Sequence, residues 1–300
     1  MSRTGSLFLT FLVLLAIILA PTGAQAQEPA QTQAPAPAQV AAGTQVARPL
    51  PNASGLGYYE YLPDGYGTGT RYPLIIFFHG LGERGNGGTE LARVLKHGPP
   101  KLIAAGKDFP AIVISPQLST QEGSWRGAIT TPFVDYILDH YAVDRARIYI
   151  TGLSLGGGGA WMYAKNHPDL IAAVVPICGT ESSTGYQVLA GMPLWAFHSE
   201  ADGTVAYSKT TTKLKVITGF DPELTRPQDN LGYTAGFDGA KWNWRQGQAE
   251  PPASENPILT TYEGADHDSW TRAYANQALW DWLFRQRRPT LIYLPLLSRS

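Results

Sequence analysis

The 300-residue sequence predicts an α/β fold: a mostly parallel central sheet with helices on both faces. Three observations predict it. Short runs rich in β-branched and aromatic residues alternate with stretches of helical periodicity. The runs are continuously apolar instead of alternating, as strands buried on both faces are. The body between Tyr58 and Leu297, about 240 residues, is long enough for one large core and carries no internal repeat.

In chain order, Arg3 supplies a positive charge, Leu7 to Ala20 form an apolar run, and Ala24-Gln25-Ala26 offers a small-residue cleavage site. This is the pattern of a secretory signal peptide over 1–26, cleaved after Ala26. The apolar run is shorter than the roughly 20 residues that span a bilayer, so no stable membrane insertion is expected after cleavage. Residues 27–51 are rich in Ala, Gln and Pro and are expected to be a disordered linker. The folded domain is expected over 52–290. The apolar tail 291–300 either docks on the body or acts as a surface or sorting signal, and the sequence leaves both open.

Within the domain, "YYEYLP" (Tyr58–Pro63) is expected to be an edge strand and "LIIFFHG" (Leu74–Gly80) a buried one. Further strands are expected at Ala111–Gln117, Arg147–Gly152, Ala172–Cys178, Pro193–Ser199 and Ile258–Gly264. Helical patterns fall near Leu91–Ala105, Thr131–Tyr141, Gly157–Asn166, Tyr207–Thr218 and Trp270–Arg285. In such sheets, sites form at the carboxyl ends of the strands. The formal charge of −1 gives no reason to expect nucleic acid or an acidic membrane surface as a partner. Cys178, the one cysteine, follows an apolar run with no positive neighbour and is expected to be buried and inert.

Gly152-Leu153-Ser154-Leu155-Gly156 fits G-x-S-x-G, a weak signal by itself. It gains weight from its flanks: a strand pattern precedes it and a helical pattern follows, as a nucleophile elbow requires. Gly156 to Gly159 would let the helix start approach the strand and leave the Ser154 hydroxyl exposed. A serine needs a base. His97, His140 and His167 lie near helix ends, where surface imidazoles are common, and His198 precedes any candidate acid. His267 follows the last strand and starts the last helical pattern, which puts a base opposite the elbow. Asp202, in the loop after Pro193–Ser199, is the candidate carboxylate that fixes the imidazole tautomer, with Glu200, Asp266 and Asp268 as rivals. The glycine-rich loop Phe77–Gly88 offers backbone N–H groups, and those of Leu81 and Leu155 are the candidate oxyanion donors. Glu83 and Arg84 are expected to brace that loop as an ion pair. No metal or organic cofactor is implied, because the His and carboxylate residues show no ligand spacing such as H-E-x-x-H.

Together "PLIIFFHGLGERGNGG", "SPQ", "DRARIYITGLSLGGGGAW", "HSEADGTV" and "GADHDSW" resemble the secreted esterase and peptidase branch of the α/β-hydrolases, near polyhydroxybutyrate depolymerases, feruloyl esterases and dienelactone-hydrolase-like proteins. The resemblance runs from about Tyr58 to Arg285. It implies Ser154 as nucleophile, Asp202 as acid, His267 as base and an oxyanion hole after "HG". It also implies a small-molecule or polymeric ester as substrate, while the signal-peptide pattern implies a secreted or cell-envelope location. Some relatives of this kind carry disulfides, which this chain cannot form internally.

The segment Asp229–Pro257 looks irregular, and its Trp242 and Trp244 either wall the substrate cleft or pack the loop onto the body. Trp125, after another strand end, is a further cleft candidate. The expected reaction is ester hydrolysis through an acyl-enzyme on Ser154. Rivals are a serine peptidase with the same machinery and a non-catalytic cell-surface binding module; no second domain is evident to restrict access, which favours an ester.

Overall fold

The computed structural model describes residues 43–288 except 183, 230 and 265, and these fall within one compact unit. The expected signal peptide, most of the expected linker and the apolar tail lie outside the described residues. Ten strands form one sheet: β1 (Gln45–Arg48), β2 (Tyr58–Tyr61), β3 (Tyr72–Phe78), β4 (Ile112–Pro116), β5 (Val143–Leu153), β6 (Ala173–Ile177), β7 (Trp195–Ser199), β8 (Tyr233–Phe237), β9 (Trp242–Gln246) and β10 (Ile258–Tyr262). Their spatial order is β1-β2-β4-β3-β5-β6-β7-β10-β8-β9. The stretch from β4 to β10 is parallel, and an antiparallel pair extends each edge.

Pleating explains why the central runs are apolar throughout. Along β3, Leu74, Ile76 and Phe78 enter one core while Ile75 and Phe77 enter the other. The first core is closed by α2 (Gly127–His140), α3 (Leu155–Asn166) and α4 (Ser208–Thr218), through residues such as Phe133, Ile137, Trp161 and Leu214. The second is closed by α1 (Gly98–Ala104), α5 (Ser269–Ala275) and α6 (Gln277–Arg285), through Ile103, Tyr274, Trp280 and Leu283. A strand covered on both faces has no solvated side and therefore no polar alternation.

Four expectations need correction. The helix expected near Leu91–Ala105 is a 3-10 turn over Leu91–Lys96 and then α1, broken at Gly98, whose φ of +66 suits glycine. The helix expected over Trp270–Arg285 splits at Asn276, whose side chain accepts from the Ala278 N–H and caps α6. The long segment after Asp229 is an edge hairpin, β8–β9, whose turn is tied by Asp238 accepting from the N–H groups of Ala240 and Lys241.

The fourth concerns the linker: its end, Gln45–Arg48, is β1, which pairs with β2, so β2 is not the edge. Arg48 places its guanidinium 2.5 Å from Glu60, a carboxylate with no exposed surface. The other Glu60 oxygen accepts from Tyr141, whose hydroxyl also meets that of Tyr58 at 2.9 Å. Removing one partner of a buried pair leaves the other charge uncompensated. Arg48→Ala is therefore expected to lower unfolding free energy by about 3 kcal/mol. Urea titration checks this, and an unchanged midpoint would count against the pair.

Candidate active site

Ser154 sits between β5 and α3, and no run of ordinary residues would make that turn. Its backbone adopts φ +52 and ψ −117, outside the regions that L-residues prefer. The chain then doubles back so closely that a Cβ on Gly156 would lie 1.9 Å from the Phe78 carbonyl oxygen. Only glycine fits there. The Ser154 N–H donates to Ile177 O at 2.9 Å, and its carbonyl accepts from Gly158 at 3.0 Å, which locks the turn. The residue remains partly exposed, so its hydroxyl is reachable.

The carboxyl ends of four parallel strands supply what surrounds it: β3 leads to His79 and Gly80, β5 to Ser154, β7 to Asp202 and β10 to His267. His267 Nε2 lies 2.9 Å from Ser154 Oγ, and His267 Nδ1 lies 2.6 Å from Asp202 Oδ2. An ionised carboxylate only accepts, so Nδ1 carries the imidazole proton and Nε2 accepts from the serine hydroxyl. Asp202 is buried, and burial alone would raise its pKa. Hydrogen bonds from His198, His267 and the N–H groups of Val205 and Thr204 outweigh that and hold it well below the usual carboxylate range. It is therefore charged throughout the neutral range.

The rival carboxylates are engaged elsewhere. Glu200 pairs with Arg226 at 2.5 Å, Asp266 accepts from the Asp268 N–H, and Asp268 caps α5 at Thr271. His198, which its sequence position did not connect to the site, is fully buried with Nε2 3.2 Å from Asp202 Oδ2. The same nitrogen lies 2.8 Å from Val205 O, so it is a donor, and Nδ1 accepts from Thr210 at 2.8 Å. Asp202 Oδ2 thus meets two imidazoles, while Oδ1 accepts from the Thr204 and Val205 N–H groups.

The loop after β3 closes the other flank. Leu81 and Leu155 are each the first residue of a helix, so their N–H groups have no acceptor within it. Gly80 brings the two together: a Cβ there would meet Leu153 at 2.8 Å and stand 3.7 Å from Ser154 Cβ. His79 is buried and burial pushes its imidazole down to about 4, so it is neutral. It accepts from Leu118 N–H at Nε2 and donates from Nδ1 to Gly80 O. Gln117, also buried, donates to the carbonyls of Glu83 and Glu90 and accepts from Gly87 N–H, tying three points of the loop. The expected Glu83–Arg84 pair is replaced: Arg84 donates to the carbonyls of Leu81, Thr120 and Glu122, while Glu83 turns inward.

The cleft aromatics are corrected as well. Trp125 is 1% exposed, stacks on Phe78 at 4.7 Å and donates its indole N–H to His79 O. It supports the loop from below and does not line an open cleft. Trp242 is 3% exposed and donates to Phe220 O; Trp244 is half-buried beside Tyr233. Both belong to β9, five strands from β5, or roughly 24 Å at ~4.8 Å per strand. They pack the sheet edge. Cys178 is fully buried, and burial pushes its thiol up, as the inert reading expects. Its sulfur, Asp202 and His267 present ligand atoms within 4.8 Å of one another, but the latter two already share a proton between them.

The fold and this arrangement define the class. The chain belongs to the α/β-hydrolase fold family, whose model matches residues 73–294. Among solved structures it is similar to a thermostable esterase, at 26% identity and a TM-score of 0.56, over 81% of this chain and 63% of that one. This chain thus spans less than two thirds of that esterase. An acetyl xylan esterase from Aspergillus awamori matches at 15% identity and TM-score 0.52, over 80% of this chain and 98% of its own. The feruloyl esterase module from Clostridium thermocellum complexed with sinapinate matches at 18% and 0.51, over 82% and 90%. At these last two identities the likeness is one of fold.

Gly156→Ala tests the elbow. Its Cβ would strike backbone, which cannot rotate away, so a stability loss of about 3 kcal/mol or more is expected. Thermal denaturation followed by circular dichroism checks it; a wild-type melting temperature would mean the turn is looser than described.

Proposed function

We propose that this protein is a serine hydrolase that cleaves carboxylic esters through an acyl-enzyme on Ser154. One observation carries the reading: an unbroken hydrogen-bond chain runs from Ser154 Oγ through both nitrogens of His267 to the buried Asp202 carboxylate. As Oγ attacks the ester carbonyl carbon, its proton passes to Nε2. The carbonyl oxygen gains negative charge facing the N–H groups of Leu81 and Leu155, and Asp202 stabilises the imidazolium. His267 then gives the proton to the departing alcohol. Water, deprotonated by the same nitrogen, attacks the acyl-enzyme and releases the acid and the free serine.

Similarity to an esterase at 26% identity supports ester over amide, and the folds shared with acetyl xylan and feruloyl esterases make acetyl and feruloyl groups the first acids to test, with polyesters after them. Arg3, the Leu7–Ala20 run and Ala24-Gln25-Ala26 support export to the cell envelope or beyond. Among the described residues, no helix is long and apolar enough to cross a membrane.

The test pairs a fluorophosphonate probe with turnover of p-nitrophenyl acetate, feruloyl esters, polyhydroxybutyrate and peptide anilides. Esters are expected to outrank anilides. Ser154→Ala should abolish labelling, and Asp202→Asn should lower kcat roughly 10⁴-fold. Labelling that persists in Ser154→Ala would remove the assigned nucleophile.

A further inference from the structure

His97 was expected to be a surface imidazole. Instead it is half-buried between the two halves of the site. The Trp270 indole N–H donates to His97 Nδ1 at 3.2 Å, with the two rings 5.4 Å apart. Trp270 in turn packs perpendicular to His267, at 5.2 Å between ring centroids and 89° between planes. On the other side, His97 Nε2 lies 3.7 Å from Oε1 of Glu83, a buried residue of the oxyanion-side loop. The other Glu83 oxygen stands 3.1 Å from where a Gly80 Cβ would be, so the carboxylate packs directly against the start of that loop.

The hydrogen bond fixes the chemistry of His97. Because Nδ1 accepts from the indole, the imidazole proton sits on Nε2 and faces Glu83. A second proton on Nδ1 would set two donors against each other and expel Trp270 from its contact. We propose that His97 is a positioning residue for the base: through Trp270 it fixes the ring of His267, and through Glu83 it ties that ring to the loop bearing the oxyanion donors. This rests on the ester-hydrolase reading.

The charged groups facing His97 are Glu83, Asp268, Lys96 and Lys101. Burial first, then Lys96 and Lys101, lower its pKa, while Asp268 raises it; the net shift is downward. His97 is therefore a neutral acceptor at and above neutral pH. It releases Trp270 only when acidified below the ordinary histidine pKa of about 6.5.

The experiment uses full-length protein carrying 15N-labelled tryptophan, with His97→Leu, which removes the acceptor, and His97→Asn, whose Oδ1 replaces Nδ1 as acceptor but does not titrate. His97→Leu is expected to lower kcat for p-nitrophenyl acetate ~10- to ~100-fold with KM within about twofold, and His97→Asn to recover most of that loss. The Trp270 indole resonance, assigned by its disappearance in Trp270→Phe, should shift more on acidification in wild type than in His97→Asn, where only the contact with His267 remains. Wild-type kcat in a folded His97→Leu protein, or an indole resonance indifferent to pH, would overturn the proposal. If wild type hydrolyses no ester, the ester reading fails by itself. The indole titration then decides the His97–Trp270 link: a shift that is lost or much reduced in His97→Asn upholds it, and a flat line, or an equal shift in that variant, refutes it.

Discussion

The close passage of α3 across the end of β3 is the constraint on which the site depends. The Phe78 carbonyl leaves Gly156 no room for any side chain, and Ser154 must take a left-handed φ to bring the helix there. Such a conformation costs on the order of 1–3 kcal/mol for a residue with a Cβ. It persists because the surrounding sheet over-determines it: the Ser154 backbone is held by Ile177, Gly158 and Thr180 at once. The strain has a geometric product. The hydroxyl stands at the carboxyl edge of the sheet, beside the loop from β3, where it cannot retreat into the core.

A second constraint is the buried charge of Asp202. A carboxylate sealed from water is unfavourable unless its oxygens are satisfied. Here two backbone N–H groups and two imidazoles satisfy it. Each donor does more than compensate burial. The backbone donors pin the loop after β7, His198 anchors that loop to α4 through Thr210, and His267 is turned so that its free nitrogen faces Ser154. The parallel order β5-β6-β7-β10 brings together residues separated by 113 and 65 positions in the chain. Electrostatics and topology thus support one arrangement.

Much of this was legible in the sequence because its causes are local. A buried parallel strand announces itself as a continuous apolar run, and the residues just beyond its end are necessarily at the site edge; Ser154, Asp202 and His267 follow from that. What the sequence concealed depends on distant partners. Gln45–Arg48 looks like linker because its strand character comes from pairing with β2 and from the Arg48–Glu60 bond. Trp125 follows a strand end as a cleft residue would, but position after a strand does not say whether a ring turns outward or beneath the loop. The β8–β9 hairpin is masked by flanking glycines and prolines, and its aromatic residues signal edge packing as readily as binding. His97 meets a partner 173 residues away, and no local pattern encodes that contact.

If Ser154 is the nucleophile proposed above, its hydroxyl becomes covalently acylated during turnover. The most direct measurement is rapid mixing with a p-nitrophenyl ester, acid quenching and peptide mass mapping. A burst of about one equivalent of p-nitrophenol per chain is expected, with the acyl mass on the peptide that contains Ser154. Turnover accompanied by an acyl mass on a different residue would contradict it.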